Sequence, residues 1–163
     1  MLVEIEQELQ DQEEAGLAGG IPGEVGATIS GSLFAYVRPK RLGRVFNAQT
    51  DFEIPGLSGK KQPDVAFVKW EKLPKNTFDA VPVVPDLAVE VASKSDYLYN
   101  TEDKAFEYIA AGVRLVWVVR PKHKLVEVYH PGDLKPTLLD VNDELDGEDI
   151  IPGFKLKVSD IFD

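Results

Sequence analysis

Bulky apolar residues alternate with acids and alanines in one short stretch of the chain. In Asp86–Ala92, Leu87, Val89 and Val91 fall on one side, while Asp86, Ala88, Glu90 and Ala92 fall on the other. That two-residue period is the signature of a strand. Asp64–Lys69 reads as a second short strand, with Asp64, Ala66 and Val68 on one face and Val65, Phe67 and Lys69 on the other, and a proline introduces each stretch (Pro63, Pro85). Leu115–Arg120 is β-branched and aromatic, and Leu125–His130 follows a Pro121-Lys122 turn, so the two predict a hairpin. Val45–Ile54, Thr137–Val141 and Phe154–Val158 are further candidate strands.

A helical period appears twice. Ile29, Leu33 and Val37 recur at helical spacing up to a basic Arg38-Pro39-Lys40-Arg41 turn. Glu102–Ala111 predicts a helix with Lys104 in its first turn, with Phe106, Ile109 and Ala110 on one face, and with Gly112 just past its end. Gly16–Gly26, with five glycines and Pro22, reads as a loop, and Trp70–Pro85 as a polar excursion. Val3–Glu14 carries six acids and no base, which makes it a solvated helical arm. The expected architecture is α/β: a mixed central β-sheet flanked by helices, with an acidic arm over 1–20 and one domain over 21–163.

Composition narrows the chemistry. With 163 residues, 44% hydrophobic and 28% charged, the chain can bury a core. The absence of cysteine excludes disulfides, thiolate metal sites and cysteine nucleophiles, and two histidines leave little room for histidine-rich centres. No apolar run nears the roughly 20 residues that span a bilayer, and the acidic N-terminus is the opposite of a secretory signal. The expectation is a soluble, cytoplasmic protein that does not engage membranes. A net charge of −10 argues against a nucleic-acid partner until it is divided along the chain. Residues 1–33 sum to −7, 34–75 to +5, 76–137 to −2 and 138–163 to −6. Acidic ends flank a basic stretch.

Glu90 stands in mid-strand, where an unpaired buried carboxylate costs several kcal/mol. Asp86, four residues away, lies about 13 Å along the strand, whereas Asp64 on a neighbouring strand would be about 4.8 Å away. Two carboxylates converging there would hold a hard divalent cation, Mg²⁺ or Mn²⁺. The plainer alternative is that Glu90 pairs with a lysine, and that Asp64 and Asp86 simply follow proline at strand starts.

Three segments carry a resemblance: Pro63-Asp64-Val-Ala-Phe-Val, Pro85-Asp86-Leu-Ala-Val-Glu90-Val-Ala-Ser93, and Asp103-Lys104-Ala-Phe-Glu-Tyr108-Ile-Ala-Ala-Gly112-Val113-Arg-Leu-Val-Trp117. With the closing Ile151-Pro152-Gly153-Phe154 segment they resemble the Uma-two-type restriction endonuclease family, in the PD-(D/E)XK nuclease-like superfamily, over roughly residues 20 to 162. The resemblance implies a restriction-endonuclease-like sheet, Asp64 and Glu90 as metal ligands, and a lysine that orients or activates the attacking water. The superfamily pattern sets that lysine two residues after the second acid, which here is Ala92; the role passes to Lys104, with Lys94 as the alternative. Without the resemblance, Lys104 is a surface lysine within reach of Glu107.

The resulting expectation is a Mg²⁺- or Mn²⁺-dependent endonuclease hydrolysing DNA, acting as a homodimer. Arg38, Lys40, Arg41, Arg44, Lys60 and Lys61 would contact phosphates. The alternatives are a catalytically inactive nuclease-fold domain that binds nucleic acid or protein, and a structural domain whose acidic ends bind partners. Other signals fall away. Gly56–Lys61 lacks the spacing and the final Ser/Thr of a P-loop, and Ser93 lacks a nucleophile-elbow setting. Trp70 and Trp117 read as packing residues, although Trp70 in a basic loop could stack on a base.

Overall fold

The computed structural model describes residues 2–3, 19–75, 78–93 and 98–163. Most of the predicted arm (Val3–Glu14) and the alternative Lys94 lie outside them. Helix α1 runs Gly20–Lys40 and is followed by β1 (Gly43–Asn47), β2 (Val65–Lys69) and β3 (Leu87–Val91). Helix α2 (Leu98–Ala110) leads to β4 (Leu115–Arg120), β5 (Leu125–Tyr129) and β6 (Thr137–Leu139). The chain closes with β7 (Glu144–Asp146), β8 (Lys155–Lys157) and helix α3 (Val158–Phe162). Strands β1 to β6 form one mixed sheet in sequence order, and β7 pairs with β8 in a second. Within the large sheet only β3 and β4 are parallel, and α2 makes the crossover between them. Among the described residues no helix is long and apolar enough to cross a membrane.

The two sheet faces divide as the alternation requires. Val65, Phe67, Leu87, Val89 and Val91 pack with Val25, Ile29, Leu33 and Val37 of α1. Ala66, Val68 and Ala88 pack on the other side with Ala105 and Tyr108 of α2 and with Phe52, Ile54 and Val81. The acid-and-alanine face is therefore covered: Ala66 and Ala88 are fully buried. Small residues there let α2 and the excursion approach closely.

Three expectations are corrected. The glycine-rich segment is helical from Gly20, because Val25 extends the buried stripe of Ile29, Leu33 and Val37 by one turn. Pro22 sits in the first turn, where its missing N–H removes no intrahelical bond. The predicted Val45–Ile54 strand stops at Asn47; Phe52 makes only single bridges to Lys61 and Val81. Helix α2 starts four residues early, which moves Lys104 to its second turn, and it buries Thr101, Ala105 and Tyr108 in place of Phe106 and Ala110. Phe106 instead meets the edge of Tyr129, their ring centres 5.5 Å apart.

Helix α1 ends without glycine. Arg41 takes the left-handed slot at φ 53°, donating its N–H to the Arg38 carbonyl, while Leu42 N–H reaches back to Val37. Gly43 follows, and there a side chain is excluded: a Cβ would lie 2.1 Å from the Val68 carbonyl oxygen.

Candidate active site

The two proline–aspartate pairs are related by the antiparallel register of β2 and β3, which sets Val65 opposite Val89. Each aspartate precedes one strand and covers the backbone N–H at the far end of the other. Asp64 Oδ2 accepts from Val91 N–H at 2.6 Å, and Asp86 Oδ2 accepts from Lys69 N–H at 2.7 Å. Charge-assisted bonds of this kind tie down strand ends where the ladder stops. The surroundings then differ. Asp86 is held by Lys72 Nζ at 3.2 Å, and the same ammonium donates to the Val84 carbonyl. That end is neutralised.

At the other end, one step beyond the Val65–Val89 pair, Asp64 lies opposite Glu90. Glu90 is buried on the face that meets α2. Its Oε1 accepts the Tyr108 hydroxyl at 2.8 Å, and its Oε2 lies 3.8 Å from Lys104 Nζ. Lys104 and Tyr108 are four residues apart on α2, so both present to the same glutamate. Burial, with the charge and hydrogen bond of Glu90 and the charge of Asp64, pushes the Tyr108 phenol far above its ordinary value. The shift favours the protonated phenol that donates to Glu90.

Glu90, Lys104 and Tyr108 line a cavity of about 430 Å³, together with Asp51, Lys60, Lys61, Gln62 and Glu107. Lys61 Nζ is 3.7 Å from Glu107 Oε2 and Lys60 Nζ is 3.8 Å from Asp51 Oδ2, while Gln62 donates to Asp51 at 2.6 Å. Asp64 does not itself line the cavity. Asp64 and Glu90 supply hard oxygen donors; among the described residues no cluster of three or more acids and histidines adds to them. That donor chemistry suits a small divalent cation that keeps several waters, rather than one enclosed in a protein cage.

The predicted residues thus gather in two places. Asp64, Glu90, Lys104, Lys60 and Lys61 are together, at or beside the cavity. Arg38, Arg41 and Arg44 line a separate groove, and Lys40 Nζ lies over the Tyr36 ring at 4.1 Å. The continuous basic stretch of the sequence is split by the β1–β2 pairing. Residues that sequence reasoning missed are Tyr108 as the partner of Glu90 and the Asp51–Gln62 pair on the cavity wall. The four-residue Lys104–Tyr108 spacing was the available signal for the first.

The comparisons agree on the fold. No curated protein matches the chain. The crystal structure titled as a "putative nuclease belonging to DUF820 from Anabaena variabilis ATCC 29413" superposes with a TM-score of 0.78 at 16% identity, covering 90% of this chain and 82% of that one. The Uma2 family, described as "Putative restriction endonuclease", matches residues 8–159, and the chain belongs to that family.

Proposed function

We propose that the protein is a divalent-metal-dependent nuclease that hydrolyses phosphodiester bonds of DNA at the Glu90 cavity. The observation that carries this reading is the β2–β3 register that sets Asp64 opposite Glu90, with Lys104 Nζ 3.8 Å from the same glutamate at the cavity. Family membership supports a nucleic-acid substrate and divalent-ion chemistry in general.

Asp64 and Glu90 would hold Mg²⁺ or Mn²⁺. Such an ion, when bound, lowers the pKa of a coordinated water and stabilises charge building on the phosphoryl group. The chain's own residues do the rest. Tyr108 fixes the orientation of the Glu90 carboxylate through Oε1. Lys104, half exposed at the cavity, orients the attacking water or neutralises a phosphoryl oxygen; it takes the part that the superfamily's usual lysine would play where this chain has Ala92. Lys60 and Lys61 sit on the same wall and offer two cations to the flanking phosphates. A homodimer, in which each subunit cuts one strand, completes the proposal.

The test is nicking of supercoiled plasmid with Mg²⁺, Mn²⁺ or chelator, at low salt. The expected result is metal-dependent cleavage that falls by on the order of a hundredfold or more in Glu90→Gln and in Asp64→Asn. Lys104→Met should also lose cleavage while keeping DNA affinity. Metal and DNA binding without cleavage would replace the enzyme with a nuclease-fold binding domain.

A further inference from the structure

The second basic region has its own architecture. Arg38, Arg41 and Arg44 line a groove of about 300 Å³ beside the edge strand β1, with Phe34, Val37, Gly43, Val45 and Trp70. Two aromatic rings in it are open to solvent, Trp70 at 51% and Phe34 at 48%. Each carries a guanidinium: Arg44 lies over the Trp70 ring at 5.5 Å and Arg38 over Phe34 at 5.2 Å. Among the described residues no carboxylate forms an ion pair with any of the three arginines.

Trp70 is held in place. It follows β2 directly, and its backbone N–H donates to the Leu42 carbonyl at 3.2 Å, which extends the β1–β2 pairing and fixes the ring beside Arg41 to Arg44. Arg41 stands at the C-terminal end of α1 in a left-handed backbone position, φ 53°, which glycine would take with less strain.

Bare phosphate would need only the guanidiniums. The exposed rings between them suit a flat, apolar ligand that also carries negative charge, which is the chemistry of a nucleotide. Inside a duplex both faces of a base are already stacked, so the fit is to an unpaired one. The groove lies at the end of β2 away from Asp64, since Gly43 pairs with Lys69 and Asn47 with Val65; along the strand that is about 20 Å from Asp64 to Trp70.

We infer that the arginine–aromatic groove at the β1 edge is a nucleotide subsite that stacks one unpaired base of a DNA strand on Trp70 and takes the neighbouring phosphates on Arg38, Arg41 and Arg44. It rests on the nucleic-acid reading of the Glu90 cavity, and it adds a second point of contact that holds single-stranded DNA at a distance from that cavity.

The chain's two tryptophans make the test direct, because Trp117 is fully buried and a quencher in solution reports on Trp70. Glu90→Gln protein in chelator, which cannot cut the probe, is titrated with a short single-stranded oligothymidylate. A second titration uses an abasic strand of equal length and charge. Trp70 fluorescence should be quenched by the first and not by the second, with affinity roughly tenfold higher for the strand that carries bases. Arg41→Gly and Arg44→Gln should each weaken binding and lower the log–log salt slope by about 0.7. Arg41→Gly should at the same time raise the thermal midpoint by about 2–4 °C, which rules out unfolding as the cause of the lost affinity. Equal binding of the abasic strand, or unchanged affinity in both arginine variants, overturns the subsite. The two readings separate cleanly: quenching by a protein that cleaves nothing keeps the subsite and removes the nuclease, while cleavage without quenching removes the subsite alone.

Discussion

Glu90 and Glu127 occupy the same row of the sheet, each in register with Val118 of β4 and about 10 Å apart across two strand spacings. Both are buried, and both accept a tyrosine hydroxyl, Glu90 from Tyr108 at 2.8 Å and Glu127 from Tyr129 at 2.7 Å. In both pairs burial, reinforced by the glutamate, pushes the phenol well above its usual value. The counter-ions differ. Arg120 engages both oxygens of Glu127, through Nε and through Nη2 at 3.3 Å, and Nη2 also donates to Thr101 at 3.0 Å. Glu90 faces a lysine at 3.8 Å, beyond hydrogen-bond range, with a cavity around it. A buried carboxylate alone does not mark a site. A planar guanidinium holds one such group on both oxygens, whereas the other has a half-exposed ammonium beside it at the cavity where the metal is proposed to bind.

Removing the cations should break the comparison most visibly. Arg120→Met leaves Glu127 buried without its counter-charge, and should lower the unfolding free energy by about 3–5 kcal/mol, measured in urea. Arg120→Met combined with Glu127→Leu should recover much of that loss, because the stranded charge goes with its partner. Lys104→Met should change stability by less than about 1 kcal/mol, since Lys104 is half exposed. If the two single lysine and arginine variants unfold alike, the two glutamates are not the different environments described.

Much of this division was legible in the sequence. Proline-led apolar stretches identified the strands at Asp64–Lys69 and Asp86–Ala92, and strand spacing argued for Asp64 rather than Asp86 as the neighbour of Glu90; the register sets Asp64 opposite it. The resemblance brought Lys104 to the same glutamate, which its spacing alone did not. What stayed hidden depends on partners remote in sequence. Helix α1 begins in glycine-rich sequence because Val25 is buried against the sheet, a tertiary effect that overrides propensity. The buried face of α2 is the one that carries Thr101, Ala105 and Tyr108, set by the Ala66 and Ala88 face of the sheet against which the last two pack. The basic run from Arg38 to Lys61 looked continuous, and only the β1–β2 ladder shows that its arginines and lysines serve different cavities.

The two tyrosines sharpen the comparison at a smaller scale. Tyr108→Phe and Tyr129→Phe each remove one hydrogen bond to a charged carboxylate, a loss of about 1.5–3 kcal/mol where the acceptor stays buried. Both variants should therefore unfold earlier in urea. Cleavage per folded molecule should separate them: unchanged in Tyr129→Phe, and reduced roughly tenfold in Tyr108→Phe, where the carboxylate proposed to hold the ion loses its orientation. Equal cleavage by the two would confine Tyr108 to a structural part.

The smallest effect belongs to the structural side of the sheet, just past Tyr129. His130 Nε2 lies 2.8 Å from Glu148 and Nδ1 lies 3.2 Å from Asp133. Partial burial disfavours the charged ring, but hydrogen bonds and charge from Glu148 and Asp133 outweigh it and raise the imidazole above its ordinary 6.5. A raised value means that the folded state binds the proton more tightly than the unfolded chain. The stabilisation is then complete below the ordinary value and is lost as pH rises through the raised one. His130→Gln should lower the unfolding free energy most at acidic pH, by less than about 1 kcal/mol because the cluster is open to solvent. The gap between the two proteins should close as pH rises. A gap that widened with pH would mean a neutral ring held by hydrogen bonds alone, and the ion-pair account of the β5 end would be wrong.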